Sequence, residues 1–255
     1  QVRRNALVLA WIVVAAVLAV LIIAGPLASW GTWLPLHALL LGGIGSAITV
    51  WSAHFADTLL HRPALGGAAL LDARLYAHGA GTALVLVGIT ASWPVVAIAG
   101  VTIIVLAALT GVVAISVQYR RAVAPRLAAL AIHYAVALML LALGAVFGYL
   151  TNWAEARGST HLSDVFYVAH TTTMVLGFVG TTVLGTLTVL WPTMLRTKME
   201  PEAPRWTTRG LPLLVCGTAL VAASGLFSPL AVVGMIVYLA GACGVIAVSY
   251  THLTL

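Results

Sequence analysis

The chain has 255 residues, 62% of them hydrophobic and 7% charged, with a mean hydropathy of +1.10. A water-soluble domain carries roughly 25% charged residues, so the polar surface needed to coat a soluble particle of this size is missing. Two cysteines exclude a disulfide framework or a four-thiolate zinc site. The formal charge of +6 does not mark a nucleic-acid partner, because the cations lie between apolar runs and not on one clustered face.

Long, almost charge-free runs predict an all-α fold, a polytopic transmembrane helical bundle of about eight spans. In chain order they cover residues 6–24, 33–59, 75–89, 95–118, 127–150, 164–195, 211–226 and 230–250. Each is apolar on every face, as contact with lipid and neighbouring helices requires. Gly25-Pro26, Trp93-Pro94 and Ser228-Pro229 punctuate the runs. Arg3 and Arg4 ahead of the first run suggest a signal peptide, but that run is longer than an h-region of roughly 7–15 residues. An uncleaved first span is therefore expected. Residues 1–250 read as one transmembrane domain and 251–255 as a non-native or truncated tail, with both ends incomplete.

Charge placement predicts the orientation. Arg3 and Arg4, Arg62 and Arg74, Arg120, Arg121 and Arg126, and Arg196, Lys198, Arg205 and Arg209 all fall on one side of the predicted bundle, leaving Arg157 alone on the other. By the positive-inside bias the crowded side, with the N-terminus, is cytoplasmic. Trp30, Trp33, Trp93, Tyr149 and Trp153 then form an outer aromatic belt, and Trp11, Tyr119 and Trp206 an inner one.

Ionisable groups inside spans are costly and mark functional sites. His37 and His170 fall near the outer ends of the second and sixth spans. His54, His78 and His133 fall in the inner halves of the second, third and fifth. Neutral imidazoles from different helices are ligands for haem iron or copper, and they are also packing groups that bond neighbouring carbonyls. Met174, one turn after His170, completes a candidate metal set of His37, His170 and Met174, or fills space. His54, Asp57 and His61 share a helical face by their spacing, so Asp57 can orient an imidazole or join a proton relay with His61, with Arg74 and His78 facing them. Gly144 and Gly148 form a GxxxG, and Thr173, Gly177, Thr181 and Gly185 recur every fourth residue, which predicts close packing around His133 and His170. Cys216 and Cys243 read as reduced packing groups. The similar intervals from His37 to His133 and from His78 to His170 suggest an inverted repeat.

The stretch Leu36-His37 to Gly43, together with Val50-Trp51-Ser52-Ala53-His54-Phe55-Ala56-Asp57 running on to His61, resembles the N-terminal membrane region of actinobacterial multicopper oxidases. So does the stretch from Ala169-His170 through Trp191-Pro192 to Lys198. The second is also distantly similar to helices of haem-copper oxidase subunit I. The resemblance implies a multi-pass protein of a bacterial plasma membrane, linked to copper oxidase or copper nitrite reductase chemistry. It also implies an extracytoplasmic cupredoxin domain as partner, in cis or in trans. The chain departs from haem-copper oxidases in having no adjacent His-His and no His-Pro-Glu, and in carrying Thr172 where that family has the second His of His-x-His. Oxygen reduction within the membrane segment is therefore not expected.

Three functions follow. A redox domain would hold haem b or copper through His37, His54, His78, His133 or His170 and pass electrons to the cupredoxin domain. A passive anchor or assembly domain would use the same histidines for packing. A copper or small-solute permease would gate through the His54, Asp57 and His61 face.

Overall fold

The structure is a computed structural model that describes residues 2–122 and 125–250. Its long helices are α1 (Val2–Ile23), α2 (Trp33–Leu60), α3 (Gly67–Thr90), α4 (Pro94–Arg120), α5 (Ala131–Glu155), α6 (Thr160–Leu195), α7 (Ala203–Ala222) and α8 (Leu230–Tyr250). No strand occurs among the described residues, so the fold is all-α. Seven of these helices are long and apolar enough to cross a membrane, as in a multi-pass membrane protein. The exception is α3, whose first half carries Asp72, Arg74 and His78. The expected tail, 251–255, lies outside the described residues.

Helix ends differ from the predicted ones where polar residues continue a helix beyond its apolar run. Thus α7 starts at Ala203 and not near Leu211, because Pro204 in its first turn lacks only a donor that a helix start leaves unused. Likewise α3 starts at Gly67 and not near Leu75.

Two compact units divide the chain, residues 1–54 with 66–110, and residues 55–65 with 111–255. In the first, Ala15, Leu34, Ala38 and Leu86 form a core flanked by Trp11, Trp30 and Trp33. The indole of Trp11 occupies the space that a side chain on Gly42 would need. Helices α3 and α4 meet backbone to backbone, since a Cβ on Gly81 would lie 2.8 Å from the Gly100 carbonyl oxygen. At one end of this unit Arg4 Nε donates to the Asp72 carboxylate, and Arg4 Nη2 donates to the Ala68 carbonyl at 3.2 Å.

Asp72 precedes the apolar stretch 75–89, and the hydrogen bond from Arg4 holds its carboxyl below the ordinary carboxylate value. A group with a depressed folded pKa stabilises above its unfolded pKa, and that contribution is lost as pH falls through the folded pKa. The tie between α1 and α3 is therefore expected to persist at neutral pH and to loosen in acid, below the usual Asp value of about 4. Spin labels at Asn5 and Ala69 should report a distance that broadens on acidification. In Asp72→Asn the distance should already be broad at neutral pH.

In the second unit α7 and α8 form a glycine-lined hairpin over a core of Leu184, Leu214, Tyr238, Ala242 and Val245. Helices α5 and α6 form a second close pair. Hydroxyls survive in this apolar setting by bonding their own helix: Thr182 to the Phe178 carbonyl at 2.7 Å, Thr207 to Ala203 at 2.8 Å and Thr218 to Leu214 at 2.8 Å. Cys216 and Cys243, expected to pack inside, are exposed; the positions beside them that face inward are Gly217 and Ala242.

Candidate functional site: the helix histidines

Two helices widen into π turns, α2 over Ala38–Ile44 and α6 over Thr173–Gly180. Each π segment follows a predicted ligand, His37 in one unit and His170 in the other. A wide turn weakens the helix's own hydrogen bonding and needs outside partners in lipid. In both segments a side chain from another helix supplies one. His78 Nε2 donates to the Leu41 carbonyl at 2.8 Å, and Tyr238 Oη donates to the Leu176 carbonyl at 3.1 Å. The like features therefore pair α2 with α6, a correspondence different from the inverted one suggested by histidine spacing.

His37 sits on the first turns of α2. Its Nδ1 donates to the Trp33 carbonyl at 2.8 Å, and its ring stacks on Trp33 with centroids 4.4 Å apart and planes at 28°. Trp30 continues the aromatic group, 6.3 Å from Trp33. His170 makes the same kind of bond to a different helix, with Nδ1 donating to the Gly144 carbonyl at 2.8 Å. The GxxxG of α5 explains the approach. A Cβ on Gly148 would lie 2.8 Å from His170 Nδ1, and one on Gly144 would lie 2.6 Å from Met174 Sδ. The glycine pair is thus a slot in α5 that receives His170 and Met174, one turn apart on α6.

A carbonyl oxygen only accepts, so Nδ1 carries a proton in both residues. Histidines that ligate a metal through Nε2 have Nδ1–H oriented by a backbone carbonyl in the same way.

The inner histidines divide differently. His78 is 2% exposed and commits Nε2 to the π turn of α2, lying where Gly45 leaves room for its ring. His78→Leu is expected to cost about 1–3 kcal/mol by stranding the Leu41 carbonyl, with His78→Gln recovering part of it; denaturant unfolding in detergent micelles measures both. His133 is fully buried against Gly185. Among the described residues neither of its ring nitrogens completes a hydrogen bond, and the backbones of Leu130 and Thr207 are its polar neighbours. Beside it Tyr134 bonds Thr186 Oγ1 at 3.1 Å and stacks on Phe55, with centroids 6.1 Å apart. His54 is exposed and meets Trp51 edge-on at 5.7 Å.

The expected face of His54, Asp57 and His61 is not continuous. Helix α2 ends at Leu60, and His61 adopts φ +49°, outside the helix. Asp57 accepts from Gln118 Nε2 at 2.7 Å and from the Ala64 amide at 3.2 Å, while Gln118 Nε2 also donates to the Arg62 carbonyl. The carboxylate thus pins the α2–α3 loop to α4. Sequence reasoning missed Gln118, although a lone amide near the end of an apolar run was a visible signal. Arg74 belongs to the other unit, where its Nε donates to the Ala107 carbonyl at 3.1 Å.

Among the described residues, no three His, Cys, Asp or Glu side chains gather as a metal set. In each unit one histidine predicted as a ligand has its ring oriented by a backbone carbonyl, with Met174 beside the one in the second unit. No protein-family model, curated protein or solved structure matches the chain.

Proposed function

We propose that the chain is the membrane domain of a copper-dependent redox system in a bacterial plasma membrane, with its N-terminus cytoplasmic. In this reading His37 in the first unit and His170 in the second are each a ligand for haem b or copper, and the chain serves an extracytoplasmic cupredoxin domain. One observation carries the reading: both residues expected to be outer ligands have Nδ1 tied to a backbone carbonyl, which orients the ring as in histidines that ligate through Nε2. Haem b or copper supplies one-electron chemistry when bound. The chain contributes the rest. Trp33 holds the His37 ring by stacking, and the Gly144–Gly148 slot seats the His170 ring. Met174 offers a soft sulfur beside His170.

The passive-anchor reading draws on His78, whose bond to the π turn of α2 is a packing role that needs no cofactor. Purification in mild detergent from cells supplied with copper and a haem precursor separates the two. A Soret band or stoichiometric copper is expected for the redox domain. A colourless, copper-free protein would leave the anchor.

A further inference from the structure

We propose that the trough between α1 and α3 binds one acyl chain of an anionic phospholipid, with the headgroup phosphate on Arg3. The trough has a volume of about 290 Å³ and is lined by Leu7, Ala10, Trp11 and Val14 from α1 and by Tyr76 and Gly79 from α3. Its side walls are open, with Val14 41% and Tyr76 57% exposed. In a membrane-crossing helix, that open side faces hydrocarbon.

The occupant follows from the end of the trough nearest the start of α1. Leu7, Ala10, Trp11 and Val14 form one stripe of α1, and the same stripe one turn earlier carries Arg3 and Arg4. Arg4 is spent on Asp72 and Ala68, closing the trough at that end as a strap between the helices. Arg3 is exposed beside the strap and makes no ion pair among the described residues. An apolar channel ending at an exposed guanidinium complements a single amphiphile, an acyl chain with an anionic head. Only Ala15 of α1 is buried among the described residues, so the helix leaves most of its apolar surface for lipid to cover.

The full chain in vesicles of phosphatidylcholine, alone or mixed equally with phosphatidylglycerol, tests this with lipids brominated on the acyl chain. The Trp11 signal is the difference between the parent protein and Trp11→Phe. Brominated phosphatidylglycerol is expected to quench that signal with about fivefold higher apparent affinity than brominated phosphatidylcholine, the preference one arginine confers. Arg3→Gln should remove the preference and keep the quenching. Ala10→Leu, which fills the trough, should remove quenching by both lipids while helical circular dichroism is unchanged. Equal quenching by both lipids in the parent protein would mean unselective annular lipid and overturn the proposal, as would the absence of any Trp11 quenching.

Discussion

Gly217→Ala is expected to lower unfolding stability by about 2–3 kcal/mol, while Gly244→Ala, on the adjoining helix, should leave it unchanged or raise it by up to about 1 kcal/mol. A Cβ on Gly217 would lie 2.6 Å from the amide nitrogen of Tyr238 and 2.7 Å from its Cα. Those are backbone atoms of α8, so no side-chain rotation relieves the clash and the two helices must separate. The separation spreads, because Cβ positions on Gly234, 2.7 Å from the Val221 amide nitrogen, and on Gly241, 3.0 Å from the Gly210 carbonyl oxygen, are further close contacts of the same hairpin. It also moves Tyr238, whose hydroxyl serves the π turn of α6 through Leu176. Around Gly244, among the described residues, nothing beyond its own helix backbone and chain neighbours lies within 4 Å of the place a Cβ would take, so alanine there adds only helix propensity. Urea or detergent-ratio unfolding followed by circular dichroism measures both variants. Similar costs at the two positions would refute the close α7–α8 approach.

His170→Leu is expected to abolish the cofactor signal in whichever form it occurs, Soret band or bound copper, at a stability cost of only about 1 kcal/mol from the lost bond to Gly144. Gly148→Ala gives the matching result without touching the ligand. The added methyl would sit 2.8 Å from Nδ1, pushing the ring away from the Gly144 carbonyl and releasing the orientation of Nε2. A shifted or weakened spectrum is expected, with the helical fold retained. Met174→Leu separates sulfur ligation from space filling, because leucine preserves the volume in the Gly144 slot and removes the donor. If His170→Leu and Gly148→Ala both retain a full cofactor complement, His170 is not the ligand and its bond to Gly144 is a packing contact.

Much of the architecture was legible because membrane spans are specified by local composition. The runs at 33–59, 95–118 and 230–250 match helices almost to their ends, since lipid demands that every backbone group be paired within the helix itself. The polar ends were less legible. Arg205, Trp206 and Thr207 carry no apolar run, yet they are helical because Thr207 packs inward and bonds Thr188 at 2.7 Å. The GxxxG of α5 correctly marked a close approach, because glycine spacing on one helix face is a local property. The spacing could not reveal that His170 and Met174 fill that slot, because the partner and its register are set by the opposing helix.

His61 shows the other limit. Its distance from Asp57 suits one helical face, but the helix stops one residue earlier and turns through a positive φ. Asp57 is then held by Gln118, far along the chain.

From the sequence by itself come the all-α class, the limits of several spans and the multi-pass membrane setting. All of these depend on hydrophobicity and charge within a window of residues. Only the tertiary structure decided that α2 and α6 open into π turns and that His78 and Tyr238 bond to them. It alone also tied Nδ1 of His37 and of His170 to backbone carbonyls and let the carboxylate of Asp57 lock a loop. Each of those depends on which carbonyl or side chain another segment brings within about 3 Å, a distance at which hydrogen bonds form and which no pattern along one helix encodes.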